Sequence, residues 1–511
     1  MVTSTSASHN ANLYAALRAG FPMRLDDCAV ETDTGLCYSW RDLDEASAMV
    51  ANLLAFLELP PGARVAVQVE KSVEALVLYL ACLRAGVVYL PLNTAYQSAE
   101  MAYFLEDAKP SLVVCAGKNF GWISKMAFLA GTRNVFTLND DRTGSLLDRA
   151  AQFPRTHTVA TSRESDLAAI IYTSGTTGRS KGAMLTHGNL LSNAQVLRRH
   201  WRWQRGDVLI HALPIFHVHG LFVAIHGALL NGSKMIWCAK FDPKLVLQKM
   251  REATVFMGVP TLYVRLLGEV GLNAEAVRHM RLFISGSAPM LLETHQQWQA
   301  RTGHTILERY GMSETVMLTS NPCDPADGAR VCGTVGLPLP GVSLRVQGDD
   351  GKPLPQGEIG GIQVKGPNVF AGYWNMPEKT AEEFTADGYF KTGDVGKFDA
   401  NGYVTIVGRS KDLIISGGYN VYPAEIEGYI NNLPGVAESA VVGVPDADFG
   451  EVGVAVVIAK PGVSLQASEV IAALKSMLAN FKVPKRCYVV TELPRNAMGK
   501  VQKNLLRQQY S

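Results

Sequence analysis

The sequence predicts an α/β protein. It has a large N-terminal domain of parallel-sheet α/β layers, a β-rich subdomain, and a small C-terminal α/β domain. Three observations carry this reading: helical and strand-like segments alternate from Trp40 onward, short strands with Gly/Pro turns crowd Gly333–Gly408, and a mixed tail follows. In order, WRDLDEASAMVANLLAFL has apolar residues at helical spacing, ARVAVQVE reads as a strand, EALVLYLACLRAG as a second helix and VVYLPL as a second strand. The alternation recurs at Leu167–Tyr172, Val208–Leu213, Lys234–Trp237, Thr254–Val259 and Leu282–Ser285. VSLRVQ, EIGGIQVKG and GYVTIVG supply the β-rich part. The tail reads as a helix at Ala424–Asn431, strands at Glu438–Val444 and Val452–Ala459, a helix at Ala467–Asn480 and a strand at Arg486–Val490. The boundary falls at Gly408–Asp412, dividing 1–408 from 409–511.

Composition narrows the function classes. A chain of 511 residues, 47% hydrophobic, can bury more than one core. Its formal charge of +2 argues against a broad phosphate-tracking surface, so no nucleic-acid partner is expected and any anion must be met by local groups. The longest apolar stretch, Ala75–Leu92, is broken by Arg84 and Gly86 and is not a membrane span. Eight cysteines without a CxxC pair read as free thiols in a reducing compartment, and the absence of a secretory leader pattern makes the cytoplasm the expected location, with a short organellar presequence as the alternative that the Ser-rich start, whose first charged residue is basic, leaves open.

The segment Ile170–His187, IIYTSGTTGRSKGAMLTH, runs an apolar strand into a loop of Thr, Ser and Gly closed by Lys181. Gly175, Gly178 and Gly182 let backbone N–H groups approach phosphate oxygens, the hydroxyls add donors, and Lys181 adds charge. The spacing is not that of a Walker A loop. In chain order there follow PIFHVHG at Pro214–Gly220, ERYGMSE at Glu308–Glu314, YFKTGD at Tyr389–Asp394, GRSKDLIISGGYNVYPAEIE at Gly408–Glu427 and PRNAMGK at Pro494–Lys500.

This ordered set resembles the AMP-forming acyl-CoA synthetases of the adenylate-forming superfamily. The resemblance implies that ATP is bound by Thr173, Ser174, Gly175, Thr176, Thr177, Gly178 and Lys181, by Gly286, Ser287 and Ala288, and by Glu308, Arg309, Tyr310, Gly311, Met312 and Ser313. Tyr310 would lie against adenine, and Asp394 with Arg409 would hold the ribose. Thr173 and Glu314 would hold Mg2+, a hard ion suited to oxygen ligands. Ser313 stands where many relatives carry Thr, which keeps the hydroxyl. Lys500 would offset the repulsion between a carboxylate and the α-phosphate and so catalyse adenylation. The resemblance further implies a mobile C-terminal lid that turns about Lys411 and brings Ser416, Gly417, Gly418 and Tyr419 to the CoA pantetheine. Acylation of Lys500 would erase its charge and switch adenylation off.

The acid to be activated is read from the pocket segments. Arg281 enters the buried strand RLFISGSAP, and a cation there is costly unless it meets an anion. That anion is either a protein acid at the strand entrance or the distal carboxylate of a dicarboxylic substrate. HALPIFHVHGLFVA, GVPTLYVRLL, HMRLFISGSAP and ERYGMSETVMLTSNP resemble the malonyl-CoA synthetase group of the superfamily, which implies malonate as the acid and methylmalonate as a further candidate. On that resemblance Arg281 meets the free carboxylate, His217 acts beside the acyl group, His219 and Ser287 add polar contacts, and Met312 and Val316 border the C2 substituent. The alternatives are another acyl- or aryl-CoA ligase, or a stand-alone carrier-loading adenylation enzyme.

Overall fold

A computed structural model describes residues 10–173, 180–348, 350–416, 419–446, 448–496 and 499–511. The helices begin where the sequence offers caps. Ser39 accepts from Asp42 N–H to start helix Trp40–Phe56, and Ser72 accepts from Ala75 N–H to start helix Val73–Ala85, which ends at left-handed Gly86 (φ 71°). These two helices pack on each other and bury Leu43, Val50, Leu54, Leu76, Leu80 and Leu83.

Among the described residues the strands form four sheets. A six-stranded sheet runs in the spatial order Asn134–Thr137, Leu112–Cys115, Arg64–Gln68, Val88–Pro91, Leu167–Thr173, Lys181–Thr186, parallel except for its last strand. A nine-stranded sheet has a parallel centre of Leu307–Met312, Leu282–Ser285, Val255–Gly258, Val208–His211, Lys234–Trp237 and Cys28–Thr32, with antiparallel strands at its edges. The carboxyl ends of the two sheets converge. Lys71, just past one of them, donates to His211 O (2.8 Å) and Cys238 O (2.7 Å), just past the other. Ligands of α/β sheets bind at such carboxyl edges.

The β-rich part is a four-stranded antiparallel sheet of Ser343–Gln347, Gly360–Lys365, Phe390–Phe398 and Val404–Arg409. Strand Phe390–Phe398 was not legible as such, because KTGDVG has the composition of a turn; its ladder to Val404–Arg409 holds it extended. The C-terminal sheet joins hairpin Ile414–Ser416/Tyr419–Val421 to the long pair Val436–Asp446/Gly450–Ala459 and to Arg486–Val490, around a core of its own with Ile414, Ile426, Val441, Val457 and Leu474.

One reading from composition is corrected. Cys28 and Cys37 form a disulfide, because the turn between their strands returns the chain with the two Cα atoms 5.9 Å apart. The other six cysteines are free. Among the described residues no helix is long and apolar enough to cross a membrane.

Beneath the nine-stranded sheet, Trp298 is fully buried and meets Tyr263 and Phe283 edge-on, each ring 5.0 Å away. Phe283 belongs to strand Leu282–Ser285, which runs directly into Gly286 and Ser287, so this cluster supports the site from below. Trp298→Ala is expected to cost about 3–5 kcal/mol of stability, read as a lower urea midpoint at unchanged slope.

Candidate functional site

The cleft lies where the sheet ends meet the β-rich sheet and the C-terminal domain. Its centre is Asp394, buried on strand Phe390–Phe398. Antiparallel register sets Asp394 opposite Arg409, whose Nε stands 2.6 Å from Oδ1. The Tyr310 hydroxyl donates to Oδ2. Burial raises the pKa of Asp394, and the Arg409 cation is the strongest influence opposing it. Tyr310 and Asp394 are 84 residues apart, so only folding unites them.

Glu314 is buried at the tip of the hairpin formed by Leu307–Met312 and Val316–Ser320. It accepts the Tyr373 hydroxyl at 3.0 Å, and burial raises its pKa. The Lys181 ammonium lies over the Tyr373 ring at 4.2 Å and 3.7 Å from Glu383. Thr173 ends its strand with Oγ1 donating to Lys181 O at 3.4 Å. Tyr373, which the motifs did not single out, therefore supports both Glu314 and Lys181. Ser174, Gly175, Thr176, Thr177 and Gly178 lie outside the described residues, as do Gly417 and Gly418.

Lys500 reaches the cleft from a tight loop. Asn496 N–H donates to Lys500 O (2.9 Å), Lys500 N–H to Asn496 Oδ1 (3.0 Å), and Arg495 Nη1 to Gly499 O (2.7 Å). The side chain keeps contact with solvent, yet its ammonium is crowded. Desolvation lowers its pKa, Arg409 and Arg309 reinforce this, and Asp394 and Glu314 oppose it. Contacts of the C-terminal domain with the rest include Gly499, where a Cβ would lie 3.2 Å from Thr261 Oγ1, and Lys460, whose Nζ is 2.8 Å from Glu293. Lys411 occupies the exposed turn Ser410–Asp412, directly after Arg409. Ser416 is buried in its hairpin, while Tyr419 is 59% exposed and stacks on Phe481 at 4.7 Å.

The histidines of PIFHVHG take different positions. Burial, reinforced by Lys500, takes the His217 pKa down to about 4, so the ring is neutral near pH 7. His219 opens a π-helical turn, His219–Ala224, a geometry frequent at functional sites. Its Nδ1 lies 3.4 Å from Ser287 Oγ, and its Nε2 is buried without a partner. Ser287 (φ 71°) and Val316 (φ 55°) hold a left-handed backbone that non-glycine residues avoid; Ser287 follows Gly286, and Val316 comes two residues after Glu314. Met312 pairs with Val316 across the hairpin, whereas Ala288 and Ser313 remain part-exposed.

Two arginines are assigned differently from the sequence reading. Arg281 does not reach the cleft. It precedes strand Leu282–Ser285 at the amino end, and its Nε donates to Asp207 Oδ1 at 2.8 Å while Nη2 binds Oδ2 of the same carboxylate. Asp207, only 2% exposed on its side chain, is the protein acid at the strand entrance. Arg309 is the cation that faces the cleft. It is 3% exposed, its Nε and Nη2 have no hydrogen-bond partner, and burial pulls its pKa down to about 9. Parallel register sets Ser285 beside Glu308 and so Gly286 beside Arg309, and a Cβ at Gly286 would lie 2.5 Å from the guanidinium carbon. Glycine is thus required there by the arginine. The Glu308 carboxylate turns the other way, to His295 Nε2 (2.8 Å) and Gly333 N–H (3.1 Å), while Gly311 follows a register shift in its strand and pairs with Met317.

Comparison with known proteins agrees with this architecture. The AMP-binding enzyme family matches residues 23–374, and the AMP-binding enzyme C-terminal domain matches residues 425–500. A malonate–CoA ligase of Arabidopsis thaliana is 35% identical over 98% of this chain and 90% of its own. ATP-bound MatB of Rhodopseudomonas palustris is 55% identical over 98% of this chain and 99% of that one, with a TM-score of 0.95. The apo form of MatB superposes less closely, with a TM-score of 0.85.

Because Arg281 neutralises a buried acid, Arg281→Leu is expected to cost about 3–5 kcal/mol of stability by leaving Asp207 unpaired. Double substitution with Asp207→Leu should recover much of that loss in the same unfolding measurement.

Proposed function

The chain belongs to the AMP-binding enzyme family, and we propose that it activates malonate: malonate + ATP + CoA → malonyl-CoA + AMP + pyrophosphate, through a malonyl-adenylate. The likeness to the Arabidopsis ligase and to MatB supports this acid. The structural observation that carries it is Arg309. A buried guanidinium with Nε and Nη2 both unpartnered is costly, and those two donors form the side-on edge that binds a carboxylate through parallel hydrogen bonds. A substrate with a second carboxylate removes that cost; a monocarboxylic or aryl acid would leave it.

The remaining groups divide the first half-reaction among them. Tyr310 offers a ring face to adenine while its hydroxyl holds Asp394. A carboxylate has about four acceptor sites, so Asp394, engaged by Tyr310 and Arg409, retains capacity for the ribose hydroxyls. Lys181 would meet the phosphates, and Lys500, whose ammonium has Arg409, Asp394, Arg309 and Glu314 as charged neighbours, would offset the repulsion between the reacting carboxylate and the α-phosphate. Neutral His217 offers a hydrogen bond to the acyl group without adding charge. Glu314 with Thr173 would hold Mg2+. The carboxylate fits a cation because it is buried, with the Tyr373 hydroxyl on one oxygen. Bound there, the ion supplies charge neutralisation to the phosphates.

For the second half-reaction, residues 409–511 act as a lid turning about Lys411, whose exposed turn can absorb the backbone change. Rotation would withdraw Lys500 and bring the hairpin carrying Ser416 and Tyr419 to CoA. The better superposition on the ATP-bound than on the apo relative supports reading the present arrangement as the adenylating one.

Lys500→Ala is expected to lower malonate-dependent pyrophosphate release about 100- to 1,000-fold, while CoA thioester formation from supplied malonyl-adenylate persists. Equal loss in both assays would refute its assignment to the first step. Arg309→Leu should lower kcat/KM for malonate by about 100-fold with little change in the KM for ATP, and should shift preference toward acetate. Unchanged malonate kinetics would refute the dicarboxylate reading.

A further inference from the structure

Residues 370–374 stitch two sheets together. Met184 N–H donates to Gly372 O (2.9 Å), Ala371 N–H to Met184 O (2.9 Å) and Trp374 N–H to Gly182 O (2.7 Å), so this stretch runs alongside strand Lys181–Thr186 and Tyr373 pairs with Ala183. At its other end Phe370 N–H donates to Glu314 O at 2.8 Å, at the tip of the hairpin from the nine-stranded sheet. Tyr373 repeats that connection with its side chain. It is 4% exposed, its hydroxyl donates to Glu314 Oε1 at 3.0 Å, and the Lys181 ammonium lies 4.2 Å from its ring centroid. The ring is itself held in place. Phe370 meets it edge-on at 4.8 Å, and Tyr373 N–H donates to Thr380 Oγ1 (2.9 Å), which in turn donates to Met376 O (2.8 Å).

Both groups that Tyr373 touches gain from such a support. A carboxylate turns about its last bond, and a hydrogen bond from a fixed hydroxyl selects one orientation while leaving acceptor sites for a ligand. A lysine ammonium rides on a flexible four-carbon stem. Among the described residues the acid within ion-pair distance of Lys181 is Glu383, at 3.7 Å, and Glu383 also takes Lys379 at 3.1 Å. An acid so placed and so shared directs the ammonium weakly. The Tyr373 ring face attracts the same cation without using its N–H groups as a conventional acceptor would, so they remain for phosphate oxygens.

We infer that Tyr373 is a positioning residue for nucleotide binding: its hydroxyl sets the Glu314 carboxylate for Mg2+ and its ring face sets the Lys181 ammonium for the phosphates, so one side chain fixes the spacing of the two. The inference rests on the roles given to Glu314 and Lys181 under the proposed function, and not on the identity of the acid. The two contacts use different parts of the side chain, which makes them separable. Phenylalanine keeps the ring face and loses the hydroxyl; leucine loses both.

The test measures equilibrium binding of ATP to the full-length protein by calorimetry, without malonate or CoA, once with Mg2+ and once with EDTA. Tyr373→Phe should reduce the gain in ATP affinity brought by Mg2+ about tenfold while leaving the affinity in EDTA unchanged. Tyr373→Leu should in addition weaken binding in EDTA about fivefold. A side chain that only fills space would affect both conditions alike, so an unchanged Mg2+-dependent gain in Tyr373→Phe would overturn the inference, whatever the affinity in EDTA. Failure of the unsubstituted protein to bind ATP would overturn the nucleotide reading as well, which tells the two failures apart. Tyr373→Phe decides the matter by itself if Tyr373→Leu does not fold.

Discussion

One buried carboxylate ties the parts of this molecule together. Asp394 takes the Tyr310 hydroxyl from the nine-stranded sheet and the Arg409 guanidinium from the last strand before the C-terminal domain. A carboxylate in a low-dielectric setting is expensive unless it is paired and hydrogen-bonded. Meeting that requirement brings the nine-stranded sheet, the four-stranded sheet and the start of the C-terminal domain to one point. Lys411 follows Arg409 by two residues, so the turn proposed as the hinge begins at the place where the nucleotide would be held.

A second theme is how the fold disposes of cations. The Arg281 guanidinium is matched by Asp207 and serves stability, whereas Arg309 is enclosed with two donors unmatched and is available to a ligand. The Lys500 cation is disfavoured first by desolvation and then by neighbouring Arg409 and Arg309, which favours an incoming anion. With a formal charge of only +2, the protein meets anionic substrates by withholding partners from a few cations rather than by spreading charge over its surface. Some conformational cost falls in the same region: Ser287, which follows Gly286, and Val316, two residues after Glu314, accept left-handed backbone.

Much of this was legible in the chain. The alternation of Trp40–Pro91 appears as Trp40–Phe56, Arg64–Gln68, Val73–Ala85 and Val88–Pro91, because buried parallel strands and amphipathic helices carry strong local patterns. Strand Phe390–Phe398 was obscured because Lys391, Thr392, Gly393 and Asp394 read as a turn, and its extension depends on a neighbouring strand. The Cys28–Cys37 disulfide was missed because hairpin return, not spacing, brings the sulfurs together. Tyr373 was missed because it lies outside the signature strings and reaches Glu314 from 59 residues away.

What the sequence by itself determined was the class of chemistry. Lys500, Glu314, Asp394 and the loop after Thr173 each sit in a local string whose order fixes the family, and such strings survive without knowledge of the fold. Only the tertiary structure decided which arginine is matched within the protein and which is left unmatched. Arg281 and Asp207 are 74 residues apart, and a strand's side chains serve the end of the sheet at which they emerge. Arg281 precedes its strand, at the end away from the cleft, while Arg309 emerges at the carboxyl edge beside Gly286. Whether a buried charge is spent on the protein or left for a ligand depends on its partner in space, and no local pattern encodes that partner.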